Sequence, residues 1–233
     1  MKKIAIMQPT YLPWIGYFAL MDRVDGFVFL DTVQFERRSW QQRNRIKTPQ
    51  GAIWLTVPVH NKGLRDQTIC QVEIDLNRGF PSDHVRALEL NYSKTPYFSK
   101  YMPEICAIIT KSHTLLSDLT IELILFFQKS LEISVQTIRS TNLVNVGKKA
   151  DLLVNLCKQL DATVYVSPPG SRQYLEDSDA FMQENIKVVY HQYHHPQYTQ
   201  KFGSFVPYLS IVDLLFNCGP DSLTVLREGV CDE

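Results

Sequence analysis

The sequence predicts an α/β protein with a Rossmann-like, mainly parallel sheet, helices on both faces, an edge hairpin and a helical insertion. Three observations carry that prediction. Short, near-continuous apolar runs such as residues 3–7 (KIAIM) and 27–30 (FVFL) suit strands buried on both faces. Segments with helical spacing separate such runs, so strand, helix and strand recur as β-α-β units whose crossovers bring parallel strand ends to one edge. Polar, aromatic and basic residues gather just after those strand ends, where an open α/β sheet binds its ligand.

Residues 3–7 form the first, central strand, stopped by Gln8-Pro9. Pro13 can occupy the first turn of a helix, and Ile15, Phe18, Ala19, Leu20 and Met21 supply its apolar positions. That helix ends between Asp22 and Asp25, and Gly26 permits a tight turn into the strand that closes on Asp31. Residues 52–59 (AIWLTVPV) and 68–76 (TICQVEIDL) read as further strands, expected to form a hairpin-like extension or to add antiparallel strands at the sheet edge. From 81 to 133 the spacing turns helical. Val85, Leu88 and Tyr92 share one face, Thr95-Pro96 breaks the pattern, and helices over 99–111 and 117–131 follow, an insertion within one domain spanning 1–233.

Residues 135–140 return as a strand and 148–160 as an amphipathic helix with Leu152, Leu153, Leu156, Cys157 and Leu160 on one side. The strand 163–166 completes a second β-α-β unit, and the loop SPPGSR leads into a helix over 173–184. Residues 188–190 form the last strand. Ser210 and Asp213 have capping-box spacing before a final helix, which Gly219-Pro220 ends.

Composition narrows the function classes. A chain of 233 residues with 45% hydrophobic and 21% charged residues can bury a sizeable core. Its 24 Lys and Arg balance 24 Asp and Glu, which argues against broad nucleic-acid binding. The start MKKIAIMQP lacks an uninterrupted apolar core and a small-residue cleavage site, and the apolar stretch 115–127 holds Ser117, Asp118 and Glu122 and is too short to span a bilayer. A soluble cytoplasmic protein is expected. Five scattered cysteines with no C-x-x-C pattern fit reduced thiols. His191, His194 and His195 invite a metal reading, but no carboxylate falls within the run and neighbouring residues of an extended chain point apart, so no metal site is expected.

The candidate site follows from the strand ends. Gln8, Tyr11, Trp14 and Tyr17 after the first strand, and Asp31, Gln34, Arg38, Trp40, Arg43 and Asn44 after the second, would face one crevice. Arg37, Arg38, Arg43, Arg45 and Lys47 against Glu36 give a local charge of +4, which with the helix N-terminus suits an anionic ligand. The plain alternative is a solvated basic loop. Trp40 and Trp54 would wall the crevice or simply pack. Ser171 and Arg172 would hold a phosphate or carboxylate, unless Ser171 only caps its helix. His195 is the candidate general base, with Tyr198 and Gln200 beside it, and Asp31 and Tyr17 complete the catalytic candidates.

The segments MQPTYLPWIGYFALMDRVDGFVFLDTVQFERRSWQQRNRI, WLTVPV, VSPPGSRQYL and HHPQYTQKFGSFVPYLSIVDLLFNCGP resemble the WbqC-like family of bacterial proteins, from residue 3 to about residue 220. That resemblance implies a part in O-antigen or other surface-polysaccharide assembly. A more distant likeness, P-T followed by W-I-G-Y and later DTVQF, points to nucleotidyltransferases with an H-x-G-H signature. Here Trp14 and Tyr17 stand where that signature has histidines, and neither side chain supplies a cation. The sequence therefore points to a transferase or ligase modifying a nucleotide-activated sugar, for example by acyl or aminoacyl transfer to an amino sugar. The alternatives are a nucleotidyl-transferring or adenylate-forming enzyme and a non-enzymatic sugar- or phosphate-binding protein. These readings fix no cofactor; a nucleotide is the candidate that the transferase and nucleotidyl-transferring readings share.

Overall fold

Alternation along the strands decides how this chain forms its layers. The computed structural model describes residues 1–231, and residues 232 and 233 lie outside that range. In β1 (Lys3–Met7) Ala5 faces one core while Ile4 and Ile6 face another. Phe27 and Phe29 of β2 (Gly26–Phe29), reached through α1 (Ile15–Met21), join the first core, and Val28 joins the second. Both faces of the sheet need cover, because each strand carries apolar side chains on both sides.

The chain then leaves the sheet. A two-stranded ribbon, β3 (Arg43–Thr48) and β4 (Gly51–Thr56), is followed by α2 (Ser82–Tyr92), α3 (Phe98–Thr110) and α4 (Leu116–Ser130). It returns through β5 (Gln136–Arg139), α5 (Ala150–Gln159), β6 (Val164–Ser167), the short α6 (Arg172–Glu176) and α7 (Ala180–Gln183), and β7 (Lys187–Tyr190). Two helices close the described chain, α8 (Ile211–Cys218) and α9 (Ser222–Glu228). The sheet is parallel throughout, in the order β5-β2-β1-β6-β7. Helices α1, α4 and α8 cover one face, and α5 with Leu175 of α6 and Phe181 of α7 covers the other.

That order is the Rossmann-like arrangement, with its switch between β1 and β6. From β1 the chain crosses to β2 on one side, while β6 and β7 extend the sheet on the other, so the connections diverge and leave a crevice above the β1 and β6 ends. No helix among the described residues is long and apolar enough to cross a membrane.

Three local expectations change. The hairpin is not formed by residues 52–59 and 68–76. Its first strand is the basic run RNRIKT, paired from Arg43 opposite Thr56 to Thr48 opposite Gly51. Residues 68–76 instead form a single turn and isolated bridges to separate partners, Thr68 to Gln34, Ile74 to Val59 and Glu73 to Leu115, so no ladder can propagate. The helix expected over 173–184 is broken in two, because Ser178 Oγ takes the Ala180 N–H at 3.3 Å and competes with a helical bond. Finally, Ser210 caps α8, but Asp213 does not reach back to complete a capping box; its carboxylate turns inward to Tyr92 and Tyr198.

Candidate functional site

Above the switch point lie two adjoining cavities of about 440 and 410 Å³ that share Met7, Thr10 and Trp40. The larger is polar at its rim: Gln8 from the end of β1, Glu36, Ser39 and Gln41 from the segment after β2, and Ser171 from the segment after β6. The smaller is aromatic, lined by Trp14, Tyr17, Trp40 and Tyr208 with Asn44 and Arg45. Trp40 is 46% exposed and leans on Trp54 with ring centroids 5.3 Å apart. Gln8 Oε1 accepts a hydrogen bond from Gln41 Nε2 at 2.8 Å, tying the segments after β1 and β2 together across the cavity.

The W-x-G spacing has a direct steric reason. The Trp14 indole folds back over Gly16, and a Cβ there would overlap its ring. The first turn of α1 therefore packs against an indole at Gly16. Tyr17 donates through its hydroxyl to Gln8 O at 3.3 Å, and burial pushes its phenol well above the ordinary range, so it serves as a donor and not as a base. Asn44, itself buried, donates to Leu12 O at 2.6 Å and fixes the loop after β1 against β3.

His195 stands behind the aromatic wall, stacked on Trp14 at 6.2 Å and edge-on to Tyr208 at 5.2 Å. Its Nδ1 lies 2.8 Å from Pro196 O and so carries the hydrogen, which leaves Nε2 as a buried lone pair without a partner among the described residues. Burial lowers its pKa, keeping the ring neutral. A neutral imidazole with a free Nε2 can accept a proton, although His195 does not line either cavity.

Several sequence candidates lie elsewhere. Tyr11 is fully buried, its hydroxyl 2.8 Å from His84 Nδ1, so it is a core residue. Asp31 is also fully buried, with Oδ2 taking Arg139 Nε at 2.7 Å and Oδ1 accepting from Ser140 Oγ and Thr141 N, an arrangement that clamps β2 to β5 and lies outside the lining of both cavities. Arg43 lies with its guanidinium 4.2 Å from the Trp54 ring centre, outside the cavity lining. Arg172 sits over Tyr190 at 4.3 Å, whereas Ser171 lines the larger cavity and donates to Pro168 O at 2.7 Å. Gln34 and Arg38 belong to the far side of the 34–42 segment, with Gln34 Nε2 donating to Arg65 O. Tyr198 and Gln200 are engaged in a buried network, Tyr198 to Asp213 Oδ1 at 3.0 Å and Gln200 Oε1 to Lys47 Nζ at 3.1 Å.

Among the cavity residues, Tyr208 is one the sequence does not point to, while Thr10 and Arg45 fall within the segments expected to face the crevice without being singled out as candidates. Arg45 was visible as a member of the basic run, and its two-residue spacing from Arg43 and Lys47 was the available signal. Tyr208, at φ 58°, carried none, because its place depends on Arg45 donating to its carbonyl at 3.4 Å. Among the described residues no three His, Cys, Asp or Glu side chains are grouped to hold a metal ion.

A family model for the WbqC-like protein family matches residues 8–225. An uncharacterized protein of Mycobacterium tuberculosis (strain ATCC 25618 / H37Rv), Rv1507c, is 41% identical over 229 residues, covering 97% of this chain and 98% of its own. No solved structure matches.

Proposed function

This chain belongs to the WbqC-like protein family, and we propose that it is a transferase acting on a nucleotide-activated sugar held in the crevice between β1 and β6, in surface-polysaccharide assembly. The observation that carries this reading is the pair of adjoining cavities sharing Met7, Thr10 and Trp40, one aromatic and one apolar with polar groups at its rim, at the switch of a parallel sheet. Trp14, Trp40 and Tyr208 offer faces for a base or sugar ring. Arg45 supplies a cation beside them, and Gln8, Gln41 and Ser171 offer donors and acceptors for hydroxyl groups.

In this reading the amino group of an amino sugar attacks the carbonyl carbon of an acyl or aminoacyl donor. An amide C–N bond forms as the donor's acyl–leaving-group bond breaks, the leaving group departs with that electron pair, and His195 Nε2 takes the proton the amine gives up. Reaching the crevice requires Trp14 or Tyr208 to turn aside, since both rings stand in front of the imidazole. Asp31 is left out of proton handling because Arg139, Ser140 and Thr141 already occupy its carboxylate. Adenylyl transfer in the H-x-G-H manner is disfavoured, because Trp14 and Tyr17 bring no positive charge to the place a transferring phosphate would need it.

The test is a thermal-shift screen with nucleotide sugars, ATP, CTP and acyl donors, since a ligand of the folded state raises Tm by mass action. A shift with a nucleotide sugar that Trp40→Ala abolishes supports the proposal. A shift with ATP or CTP and pyrophosphate exchange would replace it with nucleotidyl transfer. Tight sugar binding without turnover on any acyl donor would make the chain a binding protein.

A further inference from the structure

The segment 34–42 has a second side. Away from the crevice it borders a cavity of about 720 Å³ whose lining includes Arg37, Arg38, Lys62 and Arg78, with Asp75 as the one carboxylate. None of its lining residues also lines the crevice. In a chain whose formal net charge is zero, this places four cations around one hollow.

The hollow is built rather than incidental. Arg38 has φ 57°, a left-handed backbone that costs a residue with a Cβ free energy and persists only where its surroundings enforce it. Gln42 enforces it. This side chain is 6% exposed, donates from Nε2 to Val57 O at 3.0 Å, and uses its Oε1 to accept the Arg38 N–H at 3.1 Å. Arg37 donates to Asn61 O, and Arg78 Nε is held by Asp75 Oδ2 at 3.0 Å. The Arg38 guanidinium and the Lys62 ammonium have no hydrogen-bond or ion-pair partner among the described residues. Two anchored arginines and two unpaired cations around one cavity match a multiply charged phosphate, because guanidinium forks and an ammonium satisfy several phosphoryl oxygens at once.

We propose that this cavity is a second ligand site, taking the pyrophosphate or terminal phosphate of a soluble phosphorylated co-reactant, separate from the ligand of the crevice. The protein would then hold two reactants on opposite sides of the 34–42 segment, and its Trp40 and Arg38 would report on different ligands.

Isothermal titration of the full chain with inorganic pyrophosphate tests this directly. The wild type binds, added salt weakens binding, and Arg38→Gln/Lys62→Gln lowers affinity by about tenfold per cation removed. Both side chains are exposed, so circular dichroism of the double variant matches the wild type. Trp40→Ala leaves the titration unchanged. No pyrophosphate binding, or equal binding by the double variant, overturns the proposal, as does a loss produced by Arg45→Gln instead, which would move phosphate recognition into the crevice. A nucleotide-sugar shift surviving any of these failures would leave the crevice reading intact.

Discussion

Asp31 and Asp213 are both 0% exposed, and the protein satisfies them in opposite ways. Asp31, just past β2, has a cation in contact: Arg139 Nε at 2.7 Å, and the same guanidinium reaches Asp118 at 2.6 Å and Ser117 Oγ at 3.1 Å. Asp213, on α8, accepts from two phenols, Tyr92 at 2.8 Å and Tyr198 at 3.0 Å, and Gln200 also hydrogen-bonds to it. The cation of that region, Lys47, is itself buried and spends its ammonium on Gln200 Oε1 and on Ser204 O at 2.6 Å. Without a contact charge, burial dominates and raises the Asp213 pKa against the lowering pull of its phenols and of Lys47. One carboxylate is a charged clamp between two strands, and the other is the centre of a hydrogen-bonded network joining β3, α2, α8 and the loop after β7.

The largest expected effect tests the clamp. Arg139→Met strands a buried carboxylate and costs about 3–5 kcal/mol of stability in urea unfolding. Adding Asp31→Asn recovers part of that loss, and a strictly additive double variant would show that the two residues do not act as a pair. In the network, Tyr92→Phe removes a donor to Asp213 and leaves the Lys47 N–H, now bonded to that phenol at 2.9 Å, without its acceptor. We expect a loss of about 1–3 kcal/mol. A loss as large as that of Arg139→Met would erase the contrast.

The pH dependence separates the two regions by sign. Native Asp213 holds its proton to higher pH than the unfolded chain does, so its contribution is fully present below the ordinary value of 3.8 and is lost as pH rises through the raised native pKa. Buried histidines act oppositely. His84 and His191, lowered from 6.5 to about 4 mainly by burial, favour the fold above pH 6.5 and lose that contribution as pH falls toward 4. Tm measured against pH should therefore lose its downward component in Asp213→Asn. In His191→Phe, whose ring nitrogens have no partner among the described residues, the acid-side slope should become shallower. An unchanged profile in Asp213→Asn would mean that its carboxyl titrates alike in both states. The smallest effect concerns a cation on the same strand as Lys47, Arg43, which rests on Trp54. Trp54→Leu should cost only about 0.5–1 kcal/mol, the scale of an exposed cation–π contact.

Much of the fold was legible because it rests on local pattern. The apolar runs at β1, β2 and β6 and the helical spacing of α2 to α5 follow from strands and helices that must bury one or two faces. The hairpin was missed because its first strand, Arg43–Thr48, carries charge on alternate positions, and that polarity hid a period of two. The 68–76 segment alternates like a strand yet forms none, since Thr68, Glu73 and Ile74 bridge three separate partners instead of one strand.

The site divides along the same line. That polar and aromatic residues gather after β1, β2 and β6 was readable from sequence, and Gln8, Trp14, Trp40 and Ser171 line the adjoining cavities there. Which neighbours turn away was not, because Tyr11 finds His84 across 73 residues, Asp31 finds Arg139 across 108 and Lys47 finds Ser204 across 157. The sequence by itself determined the sheet, its crossovers and the edge at which the polar and aromatic segments emerge, since hydrophobic periodicity is a property of consecutive residues. Only the tertiary structure decided that one basic run splits into a cation of the aromatic crevice, a buried lysine and a separate basic cavity, since a buried polar group goes where a distant partner can satisfy it.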